Sequence, residues 1–142
     1  MAIYSLANRT SGTTSGAAAL EARTAATDRA ALMEMDVFLA AATASTYGVG
    51  RPAAIGSSPT SPITVLAEDS GAPAGTVQTA LAWGTGPTAP TNFFRRIALP
   101  ATIGTGVIWT FPRGLLIAIS SSIVLWNLAT NGVVDCNIVV DE

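Results

Sequence analysis

The feature that most constrains this chain is a regular succession of short β-type segments separated by glycine- and proline-rich turns. From residue 46 onward the sequence predicts eight strands, at 46–55, 63–68, 76–83, 92–99, 107–111, 115–119, 123–128 and 133–140. Turn sequences such as Asp69-Ser70-Gly71-Ala72-Pro73 and Gly104-Thr105-Gly106 divide them. Short strands at this spacing are typical of an all-β sandwich or barrel.

The alanine-rich segment 17–44 carries two conflicting signals. Alanine favours a helix by intrinsic propensity. The apolar side chains, however, alternate with Glu34 and Asp36, which is the period of a half-buried strand. These apolar residues are Met33, Met35, Val37 and Leu39. We therefore predict a strand here, with a helix over 29–44 as the alternative.

The C-terminal segment shows the clearest alternation. Val134, Cys136, Ile138 and Val140 share one face of the predicted strand. Cys136 is then a core residue and not a reactive thiol. The pair Asn131-Gly132 suits a tight hairpin turn, because both of its central residues need a positive φ. The fold predicted for residues 17–142 is a single all-β domain, an antiparallel β-sandwich of jelly-roll type.

Residues 1–16 are predicted to lie outside that domain as an extended N-terminal arm and tether. Ile3, Tyr4 and Leu6 are apolar, and the stretch 10–16 that follows consists of Thr, Ser and Gly. A flexible tether costs little closure entropy as it lengthens, so the arm could reach the sheet edge of a neighbouring subunit. The alternative is a frayed terminus.

The side-chain inventory excludes the commonest catalytic arrangements. The chain has seven arginines, nine carboxylates, one cysteine, no lysine and no histidine. Histidine triads, most zinc sites and an intrachain disulfide are therefore absent. The pairs Glu34/Asp36 and Glu68/Asp69 are interpreted as a solvated strand face and a turn. We expect no enzymatic activity, no cofactor and no bound metal.

The sequence argues against nucleic acid and against a membrane as partners. The net charge of −2 does not suit a nucleic-acid surface. The uncharged stretch 114–134 is long enough to cross a bilayer, but Ser120-Ser121-Ser122 and Asn127 interrupt it, which favours a hairpin over a membrane span. We expect neither nucleic-acid binding nor membrane insertion.

Low charge also indicates an interface. Only 11% of the residues are charged, against about 25% in an average soluble domain. Either Thr and Ser cover the surface or much of it faces other protein, and we expect the second. The candidate interface residues on the strand at 92–99 are Phe93, Phe94, Arg95 and Arg96. Simple alternation puts Phe93 with Arg95 on one face and Phe94 with Arg96 on the other, so that one arginine meets a carboxylate near the interface. The alternative is an ordinary edge strand.

The three tryptophans, Trp83, Trp109 and Trp126, stand on separate predicted strands. Exposed in one plane, they would form a platform for sugars. Tryptophans so widely spaced are more often core residues. We therefore predict that they are core residues.

Several segments resemble small virion proteins of tailed bacteriophages. They are the run WTFPRGLLIAISSSIVLWNL from Trp109, the ending at 139–142, the opening at 2–10, and the stretches 28–35 and 48–53. The resemblance implies a cement or decoration protein on the shell of the major capsid protein, self-associated, with a homotrimer expected. Its location would be the head surface of the virion, after assembly in the host cytoplasm. The alternatives are a minor tail component and a carbohydrate-binding or host-adhesion module.

Overall fold

The computed structural model describes residues 2–10, 16–130 and 132–142, and within them all regular structure is strand. The strands are β1 (Ile3–Arg9), β2 (Ala17–Arg23), β3 (Ala30–Leu39), β4 (Ser45–Gly50), β5 (Ser57–Pro59), β6 (Ile63–Thr64), β7 (Leu66–Ala67), β8 (Gln78–Ala80), β9 (Trp83–Thr85), β10 (Phe93–Leu99), β11 (Gly106–Ile117), β12 (Ser122–Asn127) and β13 (Val134–Asp141). The all-β prediction is confirmed. The helix considered for 29–44 is wrong, because that segment contains β3.

Two large antiparallel sheets organise the molecule. One has five strands in the order β11-β3-β13-β1-β7, and the other has six in the order β10-β4-β12-β2-β8-β6. A third sheet contains only β5 and β9. The segment between β4 and β10 supplies this β5–β9 ribbon and also the short strands β6, β7 and β8.

The two large sheets lie against each other across one hydrophobic core, as in a β-sandwich. Leu20 and Leu125 from the six-stranded sheet belong to the same buried cluster as Met35 and Val37 from the five-stranded sheet. As predicted, the alternating residues of β13 are all buried; they are Val134, Cys136, Ile138 and Val140. Each fully buried aliphatic side chain contributes roughly 1.5–3 kcal/mol to the free energy of unfolding.

The prediction of an extended N-terminal arm is wrong for Ile3–Arg9. These residues form β1, which pairs with β13 along its whole length, from Ile3 opposite Asp141 to Arg9 opposite Asp135, and with β7 on its other side. Tyr4 and Leu6 are two residues apart, so they point to the same side and are buried in the core. The predicted tether at 11–15 lies outside the described residues.

The hairpins predicted near the C-terminus are also wrong. β11, β12 and β13 follow one another along the chain but alternate between the five-stranded and the six-stranded sheet. Each connection therefore crosses from one sheet to the other. Ser120, between β11 and β12, has a φ of 49°. Of the predicted Asn131-Gly132 turn, Asn131 lies outside the described residues.

Bulges account for the remaining differences from simple alternation. The predicted strands 107–111 and 115–119 form one strand, β11, whose register against β3 shifts between Thr110 and Leu115. On β3, Met33 lacks a pairing partner where its neighbours Leu32 and Glu34 both have one. Met35 therefore begins the buried series that continues at Val37 and Leu39, while Met33 is only partly buried.

Candidate interaction surface

Four of the seven arginines lie along one edge of the sandwich. β10 is the edge strand of the six-stranded sheet, and β11 is the edge strand of the five-stranded sheet. Arg95 and Arg96 belong to β10, Arg113 belongs to β11, and Arg51 follows the end of β4. We call Arg51, Arg95, Arg96 and Arg113 together the arginine edge.

A bulge in β10 decides which way its side chains point. Phe93 pairs with Gly50 and Arg95 with Val49, so Phe94 is the extra residue. The predicted alternation is therefore wrong: Phe93 and Arg96 contact each other, while Arg95 contacts Phe111 of the core. Gly48 lies beneath Phe93, where a Cβ atom would stand 2.6 Å from the ring. Phe93 is thus packed against β4, and a residue larger than glycine at position 48 would collide with its ring.

Aromatic rings hold three of these guanidinium groups. Arg51 lies over Phe94 with 4.9 Å from Cζ to the ring centroid, Arg95 over Phe111 at 5.5 Å, and Arg96 over Phe93 at 5.7 Å. Arg51 also donates a hydrogen bond of 2.7 Å to the carbonyl of Leu116 on β11, which links the two sheet edges. Stacking covers the rings and restricts the guanidiniums.

No carboxylate neutralises the arginine edge within the described part of the chain. The ion pairs of the described residues join Arg9 to Asp135 and Arg23 to Glu21, and none of these residues belongs to the arginine edge. Within the described ranges of this chain no β10 arginine pairs with a carboxylate, and pairing across an interface stays a prediction. The result is a positive surface on a molecule of negative net charge.

Apolar side chains accompany these charges. Ile108 and Leu116 of β11 are 55% and 53% exposed, and Phe94 of β10 is 36% exposed. Exposed large apolar residues beside fixed arginines are the composition found at protein–protein interfaces. The alternative of an edge strand is confirmed, since β10 ends the six-stranded sheet. The interface role of its side chains stays a prediction.

The predicted interface residues do not form one surface. Phe93, Phe94, Arg95 and Arg96 lie together on β10. Ile3, Tyr4 and Leu6 lie on β1, in the other large sheet, and of these three only Ile3 is exposed. Tyr4 donates a hydrogen bond to the carbonyl of Pro73. Tyr4 and Leu6 therefore act within the domain.

Glu21 is a fully buried carboxylate that the sequence analysis did not single out. One carboxylate oxygen accepts hydrogen bonds from the backbone N–H of Gly56 (3.0 Å) and the hydroxyl of Ser122 (2.7 Å). The other accepts one from the indole N–H of Trp83 (2.7 Å). Since Gly56 and Trp83 belong to the segment that carries the β5–β9 ribbon, Glu21 fastens that segment to the six-stranded sheet. The only signal in the sequence was a single acid within an Ala/Leu strand.

The predicted solvated strand face of Glu34 and Asp36 is wrong for Asp36, which is buried, and both Asp36 and Asp69 have local hydrogen bonds. Asp36 accepts hydrogen bonds from the backbone N–H and the side-chain amide of Asn137. Asp69 accepts one from the backbone N–H of Gly71, in the predicted turn. Among the described residues, no group of three or more His, Cys, Asp or Glu side chains is arranged to hold a metal ion. The same residues include no helix long and apolar enough to span a bilayer.

The tryptophans lie mostly in the interior. Trp109 belongs to the main core, and Trp126 packs with Ala18 and Val124 on the outer side of the six-stranded sheet. Trp83 covers this second cluster and is partly buried. Core positions are confirmed for Trp109 and Trp126.

Cys136 is buried, and its thiol should be unreactive in the folded protein. Burial, with Asp36 and Asp135 nearby, raises the pKa of the thiol from 9.0 to about 12. We expect no reaction with Ellman's reagent at pH 8 in the native state and full reaction in guanidinium chloride. Because the folded pKa exceeds the unfolded one, stability should also fall as the pH rises above about 9. Fast native-state labelling would contradict the buried position.

Comparisons of this chain with protein-family models, with curated proteins and with solved structures give no match.

Proposed function

We propose that this chain is a non-enzymatic structural protein of a phage virion, a cement or decoration protein that binds and stabilises the major capsid protein shell. The observation that carries the proposal is the distribution of large apolar side chains. Two of the three tryptophans are buried, whereas aliphatic side chains are exposed at both edges of the sandwich, among them Leu66 at 66% and Ile108 at 55%. That arrangement suits burial against protein, and in the described part of the chain the tryptophans form no exposed platform for sugars.

We also propose that the sandwich is of the jelly-roll type. Four antiparallel pairs support this: β1 with β13, β2 with β12, β3 with β11 and β4 with β10. Counted over these eight long strands, each strand from the start pairs with its counterpart from the end, as when one long hairpin is rolled up. Jelly rolls serve as viral capsid and lectin domains, among others, so this topology alone does not decide the function.

The energetics of a cement protein fit such a domain. Association must offset roughly 4–15 kcal/mol of lost rigid-body freedom, and an interface of about 1,200–2,000 Å² can do so when it is well packed. A stiff all-strand domain loses little further conformational entropy on binding. A homotrimer on the head surface would engage several capsid subunits at once, and avidity would multiply a modest affinity for each contact.

The test is cosedimentation of the purified full-length protein with separated heads and tails of the phage that encodes it. We expect saturable binding to heads, absence from tails, and decorated shells that resist heating better than bare ones. Binding to tails alone would establish the minor tail component instead. Retention on a glycan array without head binding would favour the host-adhesion module, and binding to none of these would reject the virion proposal.

A further inference from the structure

We infer that the arginine edge of one copy contacts an acidic surface at the opposite edge of a second copy, so that the copies join head to tail. This inference rests on the self-association within the proposed function and is independent of binding to a shell.

Charge is unevenly distributed along the chain. Residues 37–134 hold four arginines, all of them in the arginine edge, and only two carboxylates, Glu68 and Asp69. The remainder of the chain holds three arginines and seven carboxylates. The molecule therefore has one positive edge, and its carboxylates lie elsewhere.

The two carboxylates of the central segment lie at the other edge of the sandwich. β7 ends the five-stranded sheet opposite β11, and β6 ends the six-stranded sheet opposite β10. Glu68 and Asp69 directly follow β7 and are exposed. Ile63 on β6 and Leu66 on β7 are 48% and 66% exposed. We call Ile63, Leu66, Glu68 and Asp69 the acidic end.

The two surfaces match in chemistry. Each combines exposed apolar side chains with charges of one sign, and the signs are opposite. Arginine presents its donors in a planar fork that fits a carboxylate, and stacking on the phenylalanines holds three of the four forks in place. Such complementarity fixes the orientation of a contact and accelerates association.

Nucleic acid fits the arginine edge less well. Single strands bind by stacking bases on aromatic faces, and here arginine side chains cover the rings of Phe93, Phe94 and Phe111. Four arginines are few for a phosphate track on a chain of net charge −2. Carboxylates of a second copy are therefore the better partner.

Side chains, and not added backbone pairs, should make the contact. Pro112 and the register shift between Thr110 and Leu115 interrupt β11. Prolines, bulges and charges on edge strands oppose strand addition. Because the two surfaces lie at opposite edges, the contact is heterologous, and it generates a ring if the rotation closes.

The experiment measures the mass of the full-length protein by sedimentation velocity across concentration and salt. Arg96→Glu with Arg113→Glu reverses half of the arginine edge, and Glu68→Arg with Asp69→Arg reverses the acidic end. We expect the wild type to assemble, each double variant to be at least tenfold weaker, and added salt to weaken wild-type assembly. An equimolar mixture of the two double variants should form at least a heterodimer, because each retains the surface that the other has lost and the two reversed surfaces are also of opposite charge.

The controls change charges in the loop between β2 and β3, which contains no residue of the arginine edge or of the acidic end. Asp28→Arg reverses a partly exposed carboxylate, and Ala26→Glu with Thr27→Glu adds two at exposed positions. These variants should assemble as the wild type does.

A wild type that stays monomeric, double variants that assemble normally, or a mixture that yields no heterodimer would overturn the head-to-tail contact. Shell binding by a monomer would leave the proposed function intact, and edge-dependent binding of a single-stranded oligonucleotide would replace the second copy as partner.

Discussion

A chain lacking residues 1–10 should fail to fold cooperatively. β1 lies between β13 and β7, and it carries Tyr4 and Leu6 into the core. Its removal eliminates burial worth roughly 1.5–3 kcal/mol per large side chain and a row of backbone hydrogen bonds worth about 1 kcal/mol each. These losses are comparable to the whole stability of an ordinary domain, about 5–15 kcal/mol.

Circular dichroism and urea unfolding of the truncated protein measure this effect. A matched pair of point variants separates burial from mere position in the strand. Leu6→Ala should lower the free energy of unfolding by about 2–5 kcal/mol. Ile3→Ala, on the exposed side of the same strand, should cost clearly less. A truncated chain with a sharp, native-like transition would show that the domain folds without β1, as expected for an N-terminal arm.

Replacing Glu21 by alanine should cost about 3 kcal/mol or more of unfolding free energy, because it leaves two buried donors and one partly buried donor without an acceptor. Those donors are the N–H of Gly56, the hydroxyl of Ser122 and the indole N–H of Trp83. The charge of Arg23, whose guanidinium lies 3.8 Å from the carboxylate, also loses its partner. Removing one partner of a buried ion pair typically destabilises a protein more than replacing both partners by apolar residues.

Urea denaturation with tryptophan fluorescence follows this change, since Trp83 should become more exposed when the β5–β9 ribbon loosens. Glu34→Ala is the control: Glu34 lies on the outer side of β3 and is only partly buried, so its loss should change stability by less than about 0.5 kcal/mol. Trp83→Phe removes one donor and keeps an aromatic ring. Equal unfolding free energies for the Glu21 and Glu34 variants would mean that the buried carboxylate adds no net stability.

Part of the candidate surface was predictable from the sequence. The pair of phenylalanines followed by two arginines marked β10 as unusual, and the low overall charge indicated an interface. The direction of each side chain was not predictable. One extra residue in a strand reverses the faces beyond it, and the bulge at Phe94 is defined by the pairing of β10 with β4.

Long-range pairing was equally beyond local pattern. Ile3–Arg9 reads as a short apolar segment beside a Thr/Ser/Gly stretch, and nothing near it in the chain indicates that its partner lies at Val134–Asp141. The burial of Glu21 also depends on a contact between distant parts of the chain. The residue lies on the outward side of β2, where a solvated acid is expected, but the ribbon carrying Trp83 covers that side and turns it into a second interior.

The sequence alone determined what is local in this protein: strands where apolar and polar residues alternate, turns where Gly and Pro cluster, and a side-chain inventory without histidine or lysine. Alternation with a period of two defines which residues share a face and predicts burial, because a sheet has only two sides. The tertiary structure decided which strands meet, which acid is buried, and that Arg51, Arg95, Arg96 and Arg113 gather on one edge away from Glu68 and Asp69. Those relations join residues dozens of positions apart, and they arise only when the two sheets close over a common core.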